Sequence, residues 1–316
     1  MEPVHRDHLP PLDGELFLTD GGLETYLIFH RGLELPEFAA FDLLKDEAGR
    51  AELRDYYRPY LQLAARNDVG FILESPTWRA NPRWGAAVGY DEPGVAQANR
   101  DAITLMEELR QSDVEGDRPV LISGCIGPHD DGYSPSEVLD ADEARACHAF
   151  QVGAISETSA DMVTAITMTY VEEALGVARA ASAVGMPVVI SFTLETDGRL
   201  PSGQALAEAI EQVDADPGSE VAYFMINCAH PTHFESLLET GEPWLERVQG
   251  LRANASRMSH AELDEATELD DGDPDDLAAR YVSLRERLPR LNVLGGCCGT
   301  DHRHVTRICS AVTGTA

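Results

Sequence analysis

Short apolar runs recur along the chain, and most are followed by a longer stretch whose apolar positions fall three and four apart. The strand-like runs are residues 16–19, 69–73, 119–123, 162–166, 187–192, 221–226, 244–251 and 291–294. The helix-like stretches include 51–65, 94–109, 142–156, 171–184 and 277–288. Runs apolar throughout suit parallel strands buried on both faces, and helix-period segments between them supply the crossovers. Strand then helix, repeated eight times, predicts an α/β fold of the (β/α)8 TIM-barrel type, formed as one domain over residues 1–316. The competing architecture is an open doubly wound sheet. No Gly-x-Gly-x-x-Gly fingerprint follows the first run, which weighs against it.

Composition narrows the class. The chain has 316 residues, 43% of them hydrophobic, enough for a large core. Residues 1–13 are polar and proline-rich with no apolar h-region, so no signal peptide is expected there. No apolar run approaches the roughly 18–20 residues of a membrane span. A cytoplasmic protein without membrane contact is expected. The formal net charge is -31, and Lys45 is the sole lysine. Such a surface excludes nucleic-acid binding through basic patches. It suits either a plainly solvated acidic exterior or a high-salt cytoplasm in which carboxylate repulsion is screened. Acidic residues concentrate near 256–276, where Asp-Gly-Asp-Pro signals a turn and predicts a solvated loop running into a helix from Asp275 or Asp276. The spacing of a calcium-binding EF-hand is absent, so calcium is not expected.

Six cysteines occur: Cys125, Cys147, Cys228, Cys297, Cys298 and Cys309. Two are adjacent, a poor disulfide framework and a better metal or catalytic pattern. Cys147 and Cys309 fall in helix-like segments and are expected in the core. The others sit just after strand-like runs, on the rim where barrel active sites form. Asp20-Gly21-Gly22 follows the first run, Glu74 and Trp78 the second, Cys125 the third, Asn227-Cys228 the sixth and Gly-Gly-Cys297-Cys298-Gly the eighth. Cys228, Cys297 and Cys298 are therefore expected to share one Zn2+, with a fourth position open to substrate. Glycines flanking the pair let the backbone turn both sulfurs inward. Three thiolates on a dication make a mild Lewis acid, suited to holding a substrate thiolate that stays nucleophilic. Plain packing is the competing account of each cysteine. His230, His302 and His304 are possible imidazole ligands, with surface roles as the simpler account. Trp78 and Trp84 are positioned to face a cationic methyl group through cation–π contact, against ordinary packing.

The ordered set Asp20-Gly21-Gly22, Trp78-Arg-Ala-Asn-Pro82, Gly124-Cys-Ile-Gly-Pro128, Ser191-Phe-Thr-Leu194, Asn227-Cys228 and Gly295-Gly296-Cys297-Cys298-Gly299-Thr300 resembles the homocysteine S-methyltransferase family. That family is zinc-dependent and includes betaine– and S-methylmethionine–homocysteine methyltransferases. The resemblance implies a barrel, zinc on the three cysteines, and methyl transfer to homocysteine giving methionine. It also implies that Asp20 and Gly21 help bind the acceptor. Asn227, beside Cys228, is grouped with the substrate residues. One departure stands out. Where the family carries a glutamate that holds the homocysteine ammonium, this chain has Ile166. An ammonium buried without a counter-charge is costly. Glu74 is the expected replacement, unless it merely pairs with an arginine such as Arg79. The expected partners are a small-molecule thiol and a sulfonium or betaine-type donor. Three alternatives stay open: a different thiol or a separate corrinoid or folate partner; a non-catalytic zinc-binding barrel; and a metal-free barrel in which Asp20 and Glu74 do acid–base work. Oligomeric state is not indicated.

Overall fold

A computed structural model describes residues 2–112, 116–133, 135–238 and 241–315. Eight parallel strands close into a barrel in sequence order: β1 (Phe17–Leu18), β2 (Gly70–Glu74), β3 (Val120–Ile126), β4 (Met162–Met168), β5 (Val188–Thr193), β6 (Val221–Asn227), β7 (Val248–Ala253) and β8 (Val293–Gly296). Closure is made by β8 pairing with β1, Phe17 opposite Val293 and Leu18 opposite Leu294. The chain is a (β/α)8 barrel.

Seven long helices surround it: α1 (Glu47–Arg66), α2 (Glu92–Ser112), α3 (Ala141–Ser156), α4 (Val171–Ala183), α5 (Leu206–Asp214), α6 (Pro274–Arg285) and α7 (His302–Thr313). Local chemistry starts several of them. Asp46 caps α1 by accepting from Gly49 N, and Asp140 with Glu143 forms a reciprocal capping box on α3. The expected helix after every strand fails once. Between β6 and β7 the described residues form short 3-10 turns, and the span 244–251 read as a strand is half turn, with β7 starting at Val248. Proline at 231 and 243 opens two of these turns and breaks any longer helical period.

The acidic segment is an exposed loop over 265–273 running into a helix, and it departs from the expectation in carrying one short helix before the loop. Ser259 and Glu262 cap a short helix (His260–Asp264), and Asp273 caps α6, which begins at Pro274. Asp276 pairs with Arg257 and Arg280, and Asp271 with Arg303. Cys309 lies in the core as expected, whereas Cys147 is only half-buried on α3.

Inward positions of the strands fill the barrel floor. Phe17, Ile72, Leu121, Met162, Val189, Tyr223, Met225 and Val293 form one apolar cluster with Leu9 beneath them. The outward positions pack against the helices in a second, larger cluster. The N-terminal end is thus sealed, and any site must open at the strands' C-terminal end.

Candidate active site

Two residues further along the strands, the inward positions turn polar: Glu74, Ser123, Thr164, Ser191 and Asn227, all buried. Ser123 Oγ and Thr164 Oγ1 lie 2.8 Å apart, and both hydroxyls act to lower the Glu74 carboxyl against the larger upward push of burial. Asn227 Oδ1 accepts from Ser191 Oγ at 2.6 Å and from Thr167 N at 3.0 Å. Its Nδ2 donates to Thr167 Oγ1 at 3.0 Å and approaches Cys297 Sγ at 4.0 Å. Asn227 therefore ties β4, β6 and the cysteine pair together below the cavity.

The cysteines sit one step higher. Cys228 follows β6 directly with φ +50°, a left-handed conformation uncommon for any residue but glycine. Its N–H donates to Arg252 O, Cys297 N–H to Ala253 O, and Ala255 N–H to Cys298 O. These bonds lash the tips of β6, β7 and β8 into one platform. The Sγ atoms of Cys228, Cys297 and Cys298 lie within 4.8 Å of one another, with Cys228 and Cys297 joined as a disulfide and Cys298 free. This is the one potential metal-binding group of its kind among the described residues. Glycines 295 and 296 matter through crowding. A Cβ on either would run into a threonine hydroxyl, Thr19 or Thr300, while only Gly299 takes positive φ, at +78°.

Second contacts frame the sulfurs. Tyr133 Oη lies 3.5 Å from Cys298 Sγ, and its ring stacks on His260 at 4.2 Å. His260 reaches Cys228 O at 2.7 Å and Glu195 at 3.1 Å. Burial pushes the Cys298 thiol up. Holding Cys298 as a thiolate therefore calls for a cation beside it.

A cavity of about 280 Å3 opens beside the cluster. Cys228, Cys297, Cys298, Asp20, Gly21, Glu74, Trp78, Trp84, Cys125 and Ile166 all line it, whereas Asn227 does not. The Asp20 carboxylate is already engaged. Arg252 Nη2 meets it at 2.9 Å and Tyr56 Oη donates to it at 2.9 Å. Arg252 also donates to Gly21 O and Gly296 O, so this buried guanidinium joins β1, β7 and β8. Desolvation raises Glu74 to about 7 and Glu24, which also lines the cavity, to about 7. Glu74 does not pair with Arg79. Arg79 instead stacks over Trp78 and Trp84, at 4.2 and 3.7 Å from the ring centroids. The indoles expected to meet a substrate cation thus already hold one of the protein's own. None of the three flagged histidines joins the cysteines. His230 bonds Thr232 and is lowered to about 4 by burial, His304 caps α7, and His302 begins that helix facing solvent.

Arg252, Tyr133, His260 and Glu24 escaped the sequence reading. Arg252 and Glu24 lie outside the motifs that mark strand ends. Tyr133 and His260 belong to loops whose approach to the cluster is purely spatial.

The homocysteine S-methyltransferase family model matches residues 17–312. The chain belongs to the homocysteine S-methyltransferase family. Among solved structures, this family member is similar to the homocysteine methyltransferase MmuM from Escherichia coli in three forms. The metallated form is 19% identical, with 94% of this chain and 96% of that one covered and a TM-score of 0.70. The oxidized form is 20% identical, with 94% and 98% covered and a TM-score of 0.72. The apo form is 18% identical, with 95% and 99% covered and a TM-score of 0.66. At such identities the likeness attests the barrel. Membership of the family makes the protein a methyltransferase. Among the described residues, no helix is long and apolar enough to cross a membrane.

Proposed function

We propose that this enzyme moves a methyl group from a cationic donor, a sulfonium or a betaine-type ammonium, to the sulfur of homocysteine, with zinc held by Cys228, Cys297 and Cys298. The observation that carries the reading is the three-sulfur cluster beside an open cavity. The donor set fits zinc once the Cys228–Cys297 disulfide is reduced: three cysteine sulfurs beside a cavity, with no imidazole or carboxylate in the group among the described residues. When bound, zinc supplies a Lewis acid that lets an acceptor sulfur persist as a thiolate at neutral pH.

The chain's own residues supply the rest. Six carboxylates line the cavity (Asp20, Glu24, Glu37, Glu74, Asp131 and Asp264) against two guanidiniums, Arg79 and Arg252. That balance draws in a cation and disfavours anionic donors. Asp20 and Arg252 neutralise each other and fix the Gly21 carbonyl at the cavity wall. Holding both substrates in one enclosed space orients the transfer. Ile166 offers nothing to an ammonium, but Glu74 and Glu24 face the same cavity and neither forms an ion pair with a described side chain. Each is raised by burial, so an incoming ammonium would favour its charged form. Glu74 is the assigned ammonium partner, and Glu74→Gln then raises the KM for homocysteine with zinc content unchanged.

The test is a mass-spectrometric assay of reduced, zinc-loaded protein with homocysteine and, in turn, S-methylmethionine, S-adenosylmethionine and betaine. Methionine should form with at least one donor, stop on chelation and return with zinc. Full turnover by metal-free protein, or no methionine with any donor, overturns the proposal.

A further inference from the structure

Arg79 is used by neither the sulfur cluster nor the Asp20–Arg252 pair. It is 6% exposed yet lines the cavity. Trp84 and Trp78 hold its guanidinium at 3.7 and 4.2 Å, fixing the plane of the fork through cation–π contact. Its one hydrogen bond among the described residues runs from Nη1 to the Asp130 carbonyl at 3.0 Å. Asp131 forms a long ion pair with its Nη2 at 4.0 Å, beyond hydrogen-bond length. Arg79 Nε is buried with no acceptor, and so is Trp84 Nε1 beside it. Latching a loop carbonyl needs one N–H, and the guanidinium has five. Desolvation lowers Arg79 only to about 10, so it stays cationic at neutral pH. Arg252, the other cationic lining residue, is met by Asp20 at 2.9 Å. Arg79 is thus the cavity's rigid, donor-rich cation without a hydrogen-bonded carboxylate. Leaving the buried Nε of Arg79 and Nε1 of Trp84 idle is costly unless a ligand takes them.

We propose that Arg79 receives the carboxylate of a substrate, so that the enzyme selects a carboxylate-bearing methyl donor or thiol over the same molecule lacking that group. The inference rests on the methyl-transfer reading above and names the substrate class of its cavity. A planar fork matches a carboxylate through two parallel hydrogen bonds, which a lysine cannot reproduce. A zwitterionic onium donor satisfies both features at once, its cation facing the carboxylates and its carboxylate facing Arg79. An amino-acid thiol carries the same carboxylate, and the two sources are separated by the probes.

The experiment measures binding by calorimetry and by tryptophan fluorescence, since Trp78 and Trp84 flank Arg79. Reduced, zinc-loaded wild type, Arg79→Gln and Arg79→Lys are titrated with two matched pairs. One is S-methylmethionine against (3-aminopropyl)dimethylsulfonium; the other is homocysteine against 3-mercaptopropylamine. Wild type should bind the carboxylate member of at least one pair about tenfold to a hundredfold more tightly. The discriminating pair identifies the source. Arg79→Gln should bring that ratio near one, and Arg79→Lys should restore little of it. Wild type that binds both members of both pairs equally, or binds none, overturns the inference, as does an Arg79→Gln protein that keeps the wild-type ratio. If Arg79→Gln does not fold, Arg79→Lys takes its place, and a lysine variant that keeps the wild-type ratio overturns the inference. Binding is read without turnover. Carboxylate-selective binding with no methyl transfer would sink only the functional reading, and methyl transfer without carboxylate selectivity only this inference.

Discussion

The two ends of the barrel treat buried charge in opposite ways. At the N-terminal end, Asp161 is wholly buried, and its carboxylate accepts from Val4 N, His5 N, Ile122 N and Arg110 Nη1, all within 3.1 Å. Arg6 beside it donates to the carbonyls of Ser156, Thr158 and Ala160. At the C-terminal end, Arg79 Nε, Arg252 Nη1 and Glu74 Oε2 are buried with no hydrogen-bond partner among the described residues. Full satisfaction rigidifies, whereas groups left unpaired in a cavity keep pKa values shifted and donors free for a ligand. The difference separates a structural end from a working end.

The contrast can be broken first at Asp161. Asp161→Ala strands a half-buried arginine and three backbone donors, and should lower unfolding free energy by about 2–4 kcal/mol in urea melts, with activity per folded molecule unchanged. A loss under 1 kcal/mol would show that the sealed end is not held by this carboxylate. At the working end the sign reverses. Glu74 holds a proton in the native state between about 4.5 and about 7 that the unfolded chain has released. Wild-type stability should therefore fall as pH rises through that window. Glu74→Gln removes the loss, so it should be more stable than wild type by about 1–3 kcal/mol at pH 8 and by much less at pH 5. A gap that does not widen with pH contradicts the assignment.

Smaller effects sharpen the picture. Tyr133→Phe deletes the hydroxyl beside Cys298 Sγ and should weaken zinc retention about tenfold against a competing chelator, with the melting temperature nearly unchanged. Unchanged retention would make the contact incidental. Last comes the acidic exterior. With a net charge of -31, the melting temperature should rise with KCl, mostly within the first few tenths molar, because the Debye length is already about 3 Å at 1 M. A flat curve would remove carboxylate repulsion as a factor.

The barrel was legible because apolar runs announce buried parallel strands whatever their partners, and all eight runs overlap a strand. The β6–β7 connection was misread because 244–247 is apolar enough for a strand, yet Pro243 opens it as a turn. The cysteine platform was legible because its residues sit at strand ends and the barrel brings strand ends together. Arg252 was invisible as a hub, since a charge inside β7 reads as a poor strand residue until Asp20 is seen across the barrel. Arg79 was read only as a partner for Glu74, because nothing in sequence spacing shows that Trp78 and Trp84 close on it.

The central claim is that Cys228, Cys297 and Cys298 hold one zinc that the reaction requires. Elemental analysis of reduced wild type and Cys298→Ala, purified without chelator and assayed side by side, tests it most directly. The account predicts about one zinc per wild-type chain, with both metal and methyl transfer lost in the folded variant. A Cys298→Ala protein that retains full activity without bound metal would contradict it.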